Sequence, residues 1–262
     1  MWYNMTVMKR FIIILTFFLI FINGSVFAAN TTIKKEINTV GADGFSLKAE
    51  LEYPKSKTAK SFSTVVLLHS LGYSSEWWES LPKDLLDNGY AVLKIDLRGH
   101  GKSVYNSKLN RVSWKDLTNK AYAKYPSDVI KVIENVKAEN KKVFFDSWAI
   151  VGSDIGASTA ILVADQIEYK PKTLVLLSPV VETKGLYVPV KLANLNIDML
   201  SISGTDDNSG QKAQDYLKKF AQATFTTYIS ESKKNGMLML KHDTSLSRVI
   251  ESWIATYLKP TN

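Results

Sequence analysis

The chain opens on an apolar run, "FIIILTFFLIFI" at 11–22, with Lys9 and Arg10 before it and the small-residue stretch "NGSVFA" after it. A basic start, an apolar core and small residues ahead of a cleavage point predict a Sec-type signal peptide over residues 1–28. The competing reading is an uncleaved anchor, but a run that ends at Asn23 is short of the ~20 apolar residues that span a bilayer. Met1, Met5 and Met8 each leave that signal intact as a start.

From residue 29 onward the rhythm changes. "TIKKEINTV" and "FSLKAELEYP" alternate apolar and polar positions on either side of "GADG", the pattern of an antiparallel hairpin. "STVVLLHS", "YAVLKIDLRG", "WAIVGS", "KTLVLLSP" and "NIDMLSISG" are short apolar runs that end in polar or glycine residues, as expected of strands buried on both faces. Between them lie helical stretches: "SEWWESLPKDLLDNG" closed by Gly89, a segment with the stripe Val129, Ile130, Ile133 and Val136, "GASTAILVADQIEY" and "SGQKAQDYLKKFAQ". "TFTTYIS" reads as a further strand, "NGMLMLKHD" as a loop and "TSLSRVIESWIATYLK" as the last helix. Strands alternating with helices require right-handed crossovers, so residues 29–262 are expected to form a single α/β domain. Its central sheet should be mostly parallel, with helices on both faces and the N-terminal hairpin as an antiparallel edge.

Composition changes this picture little. The formal net charge is +8, and Lys9 and Arg10 leave with the signal. The remaining lysines are scattered, without interleaved aromatics, which is a solvated surface and not a nucleic-acid path. There is no Cys, so an oxidising compartment is permitted and not required.

Chemistry in such a sheet belongs to the loops at the carboxyl ends of the strands. Here these are "HSLGYS", "DLRGHGKS", "GSDIG" and "GTDDNSG", with "NGMLMLKHD" as a fifth candidate, and all three histidines, His69, His100 and His242, fall in them. "AIVGSDIGAS" has the G-x-S-x-G spacing of a nucleophile elbow with Asp154 at the apex. Gly152 and Gly156 leave room where strand and helix cross closely. The helix that follows points its amino end at residue 154, so the proton affinity of that carboxylate is expected to fall. Ser153, one before the apex, should point away from the cleft.

"LLHSLG", "AVLKIDLRGHGKS", "VGSDIGAS", "LVLLSP", "SGTDD" and a late His242 together resemble the α/β-hydrolase superfamily. Within it, the motifs are similar to those of compact, cap-less bacterial esterase-like members that carry a "DLRGHG" stretch and a "GASIGA"-type elbow. The resemblance runs from about residue 40 to the end. It implies Asp154 at the nucleophile position, Asp207 as the acid and His242 as the base, with the backbone N–H groups of Leu71 and Ile155 as oxyanion donors. His69 and His100 are read as bracing residues. Asp206 is read as a support to the acid or the cap of the following helix. No metal or other cofactor is implied.

An aspartate changes the chemistry. A carboxylate that attacked an ordinary ester would be expelled again in preference to the more basic alkoxide, so it suits saturated carbon or phosphoryl centres. The branches of the superfamily with an Asp nucleophile, haloalkane dehalogenases and epoxide hydrolases, carry a Trp after it and a helical cap. This chain has Ile155 there, and only "VVETKGLYVPVKLANL" between "LVLLSP" and "NIDMLSISG". Two readings follow: a hydrolase of a small electrophile using Asp154, Asp207 and His242, or a non-catalytic descendant whose pocket binds a ligand or partner. Export would place either in the periplasm or outside the cell.

Overall fold

The computed structural model describes residues 31–259, which lie within one compact unit; the expected signal peptide falls outside the described residues. In chain order the elements are β1 (Thr32–Val40), β2 (Ser46–Pro54), β3 (Phe62–Leu68), α1 (Leu81–Asp87), β4 (Ala91–Asp96), α2 (Asn119–Tyr122), α3 (Tyr125–Glu139), β5 (Val143–Ser153) and α4 (Ile155–Gln166). They continue with β6 (Thr173–Leu177), β7 (Glu182–Thr183), β8 (Leu186–Tyr187), α5 (Pro189–Leu192), β9 (Asp198–Gly204), α6 (Asn208–Lys218), β10 (Phe225–Ser230), α7 (Met239–His242) and α8 (Leu246–Tyr257).

Eight strands form one sheet in the order β1-β2-β4-β3-β5-β6-β9-β10. The hairpin β1–β2 pairs antiparallel around the "GADG" turn and β2 runs antiparallel to β4. Every pairing from β4 through β10 is parallel. The apolar runs alternate sides: Val66 and Leu68 of β3 and Leu174 and Leu176 of β6 pack with α3 and α4, whereas Val65, Leu67, Val175 and Leu177 pack with α1 and α8. A strand whose both faces meet helices must be apolar at successive positions, and all seven residues of β3 are buried. Lys34, Lys35 and Glu36 keep the outer edge polar, as an unpaired strand edge requires. The architecture is that of an α/β-hydrolase fold, and between β6 and β9 the described residues form only the short β7–β8 ribbon and the single turn α5, with no cap domain.

Two expectations need correction. The helix expected across "SEWWESLPKDLLDNG" is a 3-10 turn at Ser75–Trp77 followed by α1, in which Pro82 takes the second position. A proline is tolerated there because the first helical N–H groups have no partner to lose, and it cannot be accommodated further in. The segment expected as a loop at 235–243 is a 3-10 turn, Gly236–Leu238, running into α7, and it coils because Met237, Met239 and Leu240 are buried against the sheet.

Candidate active site

β5 ends in a sharp turn. Asp154 stands between the strand and α4 with φ 52° and ψ −115°, a conformation that non-glycine residues rarely adopt. The turn is held by the Asp154 N–H donating to the Leu177 carbonyl at 2.9 Å. The glycines on either side are required: a Cβ on Gly152 would lie 2.4 Å from the Gly156 carbonyl oxygen, and one on Gly156 would lie 2.1 Å from that of Leu68. The elbow read from the spacing is present in the fold.

The Asp154 side chain turns into the cleft, where the Leu71 N–H donates to its Oδ2 at 3.1 Å. Burial raises its proton affinity, the N–H groups of Leu71 and Ile155 oppose that effect, and nearby Asp207 adds to it. The sequence-based expectation was the reverse. The helix amino end and the two N–H groups favour the anion as expected, but removal from water outweighs them. Ser153, one before the apex, is fully buried. Its Oγ lies 2.6 Å from Ser70 Oγ and accepts the Met237 N–H at 2.7 Å.

Asp154 lines a cavity of about 270 Å³ together with Ser70, Leu71, Tyr73, Ser178, Asp207 and the segment around Asn235 and Gly236. The cavity is at the small end of ligand pockets. Asp207 is 6% exposed and caps α6, its Oδ1 accepting from the Gly210 N–H at 2.9 Å and from Ser209 Oγ at 3.2 Å. Its Oδ2 is buried with no hydrogen-bond partner among the described residues. The helix cap considered for Asp206 therefore belongs to Asp207, and Asp206 is exposed.

The structure does not bring His242 to these carboxylates. It is the last residue of α7, exposed, and not among the residues around the cavity. The place it was expected to fill is lined by Asn235 and Gly236, which the sequence reading had not singled out. Three serines fix this segment against the elbow. The Gly236 N–H donates to Ser178 Oγ at 2.6 Å, and a Cβ on Gly236, where φ is 55°, would meet Ser153 Oγ and Ser70 Oγ at 2.7 and 2.8 Å. The sequence signal was the Asn-Gly pair just after the last strand, where a glycine marks a backbone that needs positive φ.

His69 and His100 brace the loops, as read from the sequence. Nε2 of His69 accepts the Leu97 N–H at 3.0 Å, which leaves its Nδ1 to donate to the Ser70 carbonyl at 2.8 Å. Nε2 of His100 accepts the Gly72 N–H at 3.0 Å, its Nδ1 donates to the Arg98 carbonyl at 3.1 Å, and its ring stacks on Trp114 at 5.7 Å. Burial, with His69 close by, holds His100 down at about 3, and burial likewise lowers His69, so both rings are neutral struts. No cluster of His, Cys, Asp and Glu among the described residues is arranged to hold a metal ion.

The family described as serine aminopeptidase, S33, matches residues 59–227. The chain belongs to that family. Membership of the serine aminopeptidase S33 family places it among the hydrolases of the α/β class, and the matched stretch includes Asp154 and Asp207 but ends before Asn235 and His242. Among solved structures it is similar to an esterase from Exiguobacterium antarcticum, with 14% identity over 84% of this chain and 100% of the other and a TM-score of 0.63. It is also similar to a dienelactone hydrolase from Anabaena variabilis, with 14% identity over 87% and 99% and a TM-score of 0.67. A Pyrococcus furiosus esterase is similar at 15% identity over 86% and 91%, with a TM-score of 0.66. At such identities what is shared is the fold. No curated protein matches the chain in sequence.

Proposed function

We propose that the elbow cavity is the working site of this S33-family hydrolase and that Asp154 is its nucleophile toward a small electrophile at saturated carbon. The observation that carries this reading is the bond from the Leu71 N–H to Asp154 Oδ2. With Oδ2 held, Oδ1 is the oxygen available for attack. Displacement of a leaving group by Oδ1 gives an ester whose carbonyl oxygen already accepts from the Leu71 N–H. Water attack at that carbonyl then builds negative charge where Leu71 and Ile155 can stabilise it. Asp207 is the other carboxylate among the described residues that line the cavity, and the proton of the resolving water falls to it and not to His242. The test is incubation with alkyl halides and epoxides followed by peptide mass mapping. An adduct on Asp154 that accumulates in Asp207→Asn supports the reading, and turnover that survives Asp154→Asn refutes it.

A second reading, a ligand-binding pocket without turnover, is favoured by the lack of any histidine around the cavity. A chain of this kind hydrolyses none of the panel and still binds a small molecule at the elbow. Under both readings the basic start and apolar run before Ala28 support export through a cleaved signal, with work done in the periplasm or outside the cell. Amino-terminal sequencing of the mature protein checks the cleavage.

A further inference from the structure

An oxyanion cradle ordinarily offers two backbone donors to an acceptor atom of the substrate. Here Asp154 occupies that place itself, with Oδ2 on the Leu71 N–H. The polarity of the pocket is thereby inverted: where donors would meet a ligand, a carboxylate does. The rest of the lining points the same way. Among the described residues, Asp207 is the other charged one around the cavity, the polar side chains beside it are Ser70, Ser178, Ser209, Tyr73 and Asn235, and no Lys, Arg or His takes part. Asp207 is 6% exposed and its Oδ2 has no hydrogen-bond partner among the described residues. The two acids are close enough for Asp207 to raise the proton affinity of Asp154. Two carboxylates taken from water into one small cavity without a cation are mutually destabilising, and a bound cation relieves both.

We propose that the elbow cavity recognises a protonated primary amine, its ammonium group set against the carboxylates of Asp154 and Asp207. This rests on the second reading above, in which Asp154 holds a ligand and does not react with one. An ammonium has three donors and no acceptor, which suits a lining of carboxylate and hydroxyl oxygens. The small volume restricts the remainder of the ligand to a short chain.

The test uses the full mature chain and short alkylammonium ions as probes, with alcohols and carboxylates of the same length as controls. Binding is followed by titration calorimetry and by the NMR shift of the Leu71 amide, which reports on Asp154 directly. The expected result is binding of the ammonium at least ten-fold tighter than that of the alcohol, with movement of the Leu71 resonance. Asp154→Asn should weaken it ten-fold or more and the surface variant Glu182→Gln should not change it. Because Asp207 also caps α6, Asp207→Asn is read only where its circular dichroism matches that of the wild type, and there it should weaken binding as well. Equal affinity for ammonium and alcohol, or ammonium binding untouched by Asp154→Asn, overturns the proposal. Mass mapping of the same preparation separates the readings: an Asp154 adduct without ammonium binding overturns this inference and leaves the nucleophile reading standing. Ammonium binding without an adduct does the converse.

Discussion

The backbone N–H of Leu71 donates to Oδ2 of Asp154 across 83 residues of sequence. This bond joins the loop after β3 to the elbow after β5, and it puts a carboxylate where relatives with a serine would leave donors free. What happens at the site depends on the charge state of that carboxylate, which makes its titration the first quantity to measure.

Burial raises the proton affinity of Asp154 above its unfolded value. Such a group binds more protons folded than unfolded, so stability falls as pH climbs from the unfolded pKa of ~3.9 to the higher folded value, and the loss is constant above both. Asp154→Asn keeps an oxygen for the Leu71 N–H and removes the charge. The variant should melt higher than the wild type at neutral pH, with the difference narrowing as pH falls toward 3. Thermal melts across that range check the sign, and a variant less stable at pH 7 would contradict it.

Gly156 lies under the β3 carboxyl end, where an added Cβ would come within 2.1 Å of the Leu68 carbonyl oxygen and 2.7 Å of that of His69. Both neighbours are backbone, so neither can rotate aside. Overpacking of buried sites typically costs about 1–3 kcal/mol, and Gly156→Ala should reach the upper part of that range in urea unfolding. Ala157→Gly, one residue on in the same helix, should cost less, about 1 kcal/mol by helix propensity.

Arg98, 3% exposed, donates to Asp128 through Nε and Nη2 and to Asp43 through Nη1 and Nη2, with distances of 2.7–2.9 Å. It ties the β1–β2 turn and α3 to the "DLRGHG" loop that carries His100. Arg98→Met would strand the buried Asp128 carboxylate, and breaking a buried pair in this way costs roughly 3–5 kcal/mol. Asp43→Asn should cost less, since Asp43 is partly exposed. Arg98 holds the Asp43 carboxyl well below the usual carboxylate range. Its stabilisation is therefore present above the unfolded pKa and lost as pH falls, so the two variants should converge on the wild type in acid.

The strands were legible because a strand between two helical layers is buried on both faces, and the runs "VVLL" at 65–68 and "LVLL" at 174–177 are apolar without interruption. The elbow was legible because Gly152 and Gly156 answer a local crossing of chain segments. The position of the base was not. His242 follows the last strand in the expected order, but the segment before it coils into a 3-10 turn and α7, driven by burial of Met237, Met239 and Leu240, and that carries His242 to the surface. What sits at the cavity instead, Asn235 and Gly236, is fixed by Ser70, Ser153 and Ser178, residues far away in sequence. The charge on Asp154 failed for the same reason: the helix end is local, and the burial that outweighs it comes from the whole fold.

Asn235 and Asp207 line the same cavity, and Asp207 Oδ2 has no hydrogen-bond partner among the described residues. A histidine at 235 would have a carboxylate to orient it, and a serine at 154 would vacate the cradle for a substrate carbonyl. Asp154→Ser alone leaves the serine without a histidine to take its proton, and Asn235→His alone leaves the cradle filled by Asp154. The double variant should therefore hydrolyse short-chain p-nitrophenyl esters where neither single variant does, by roughly a hundred-fold or more, the usual contribution of a positioned general base. Adding His242→Ala should leave the new activity intact and change stability by less than about 0.5 kcal/mol, as for other exposed positions. If His242→Ala removes the activity, the base comes from α7 after all, and the assignment of position 235 fails.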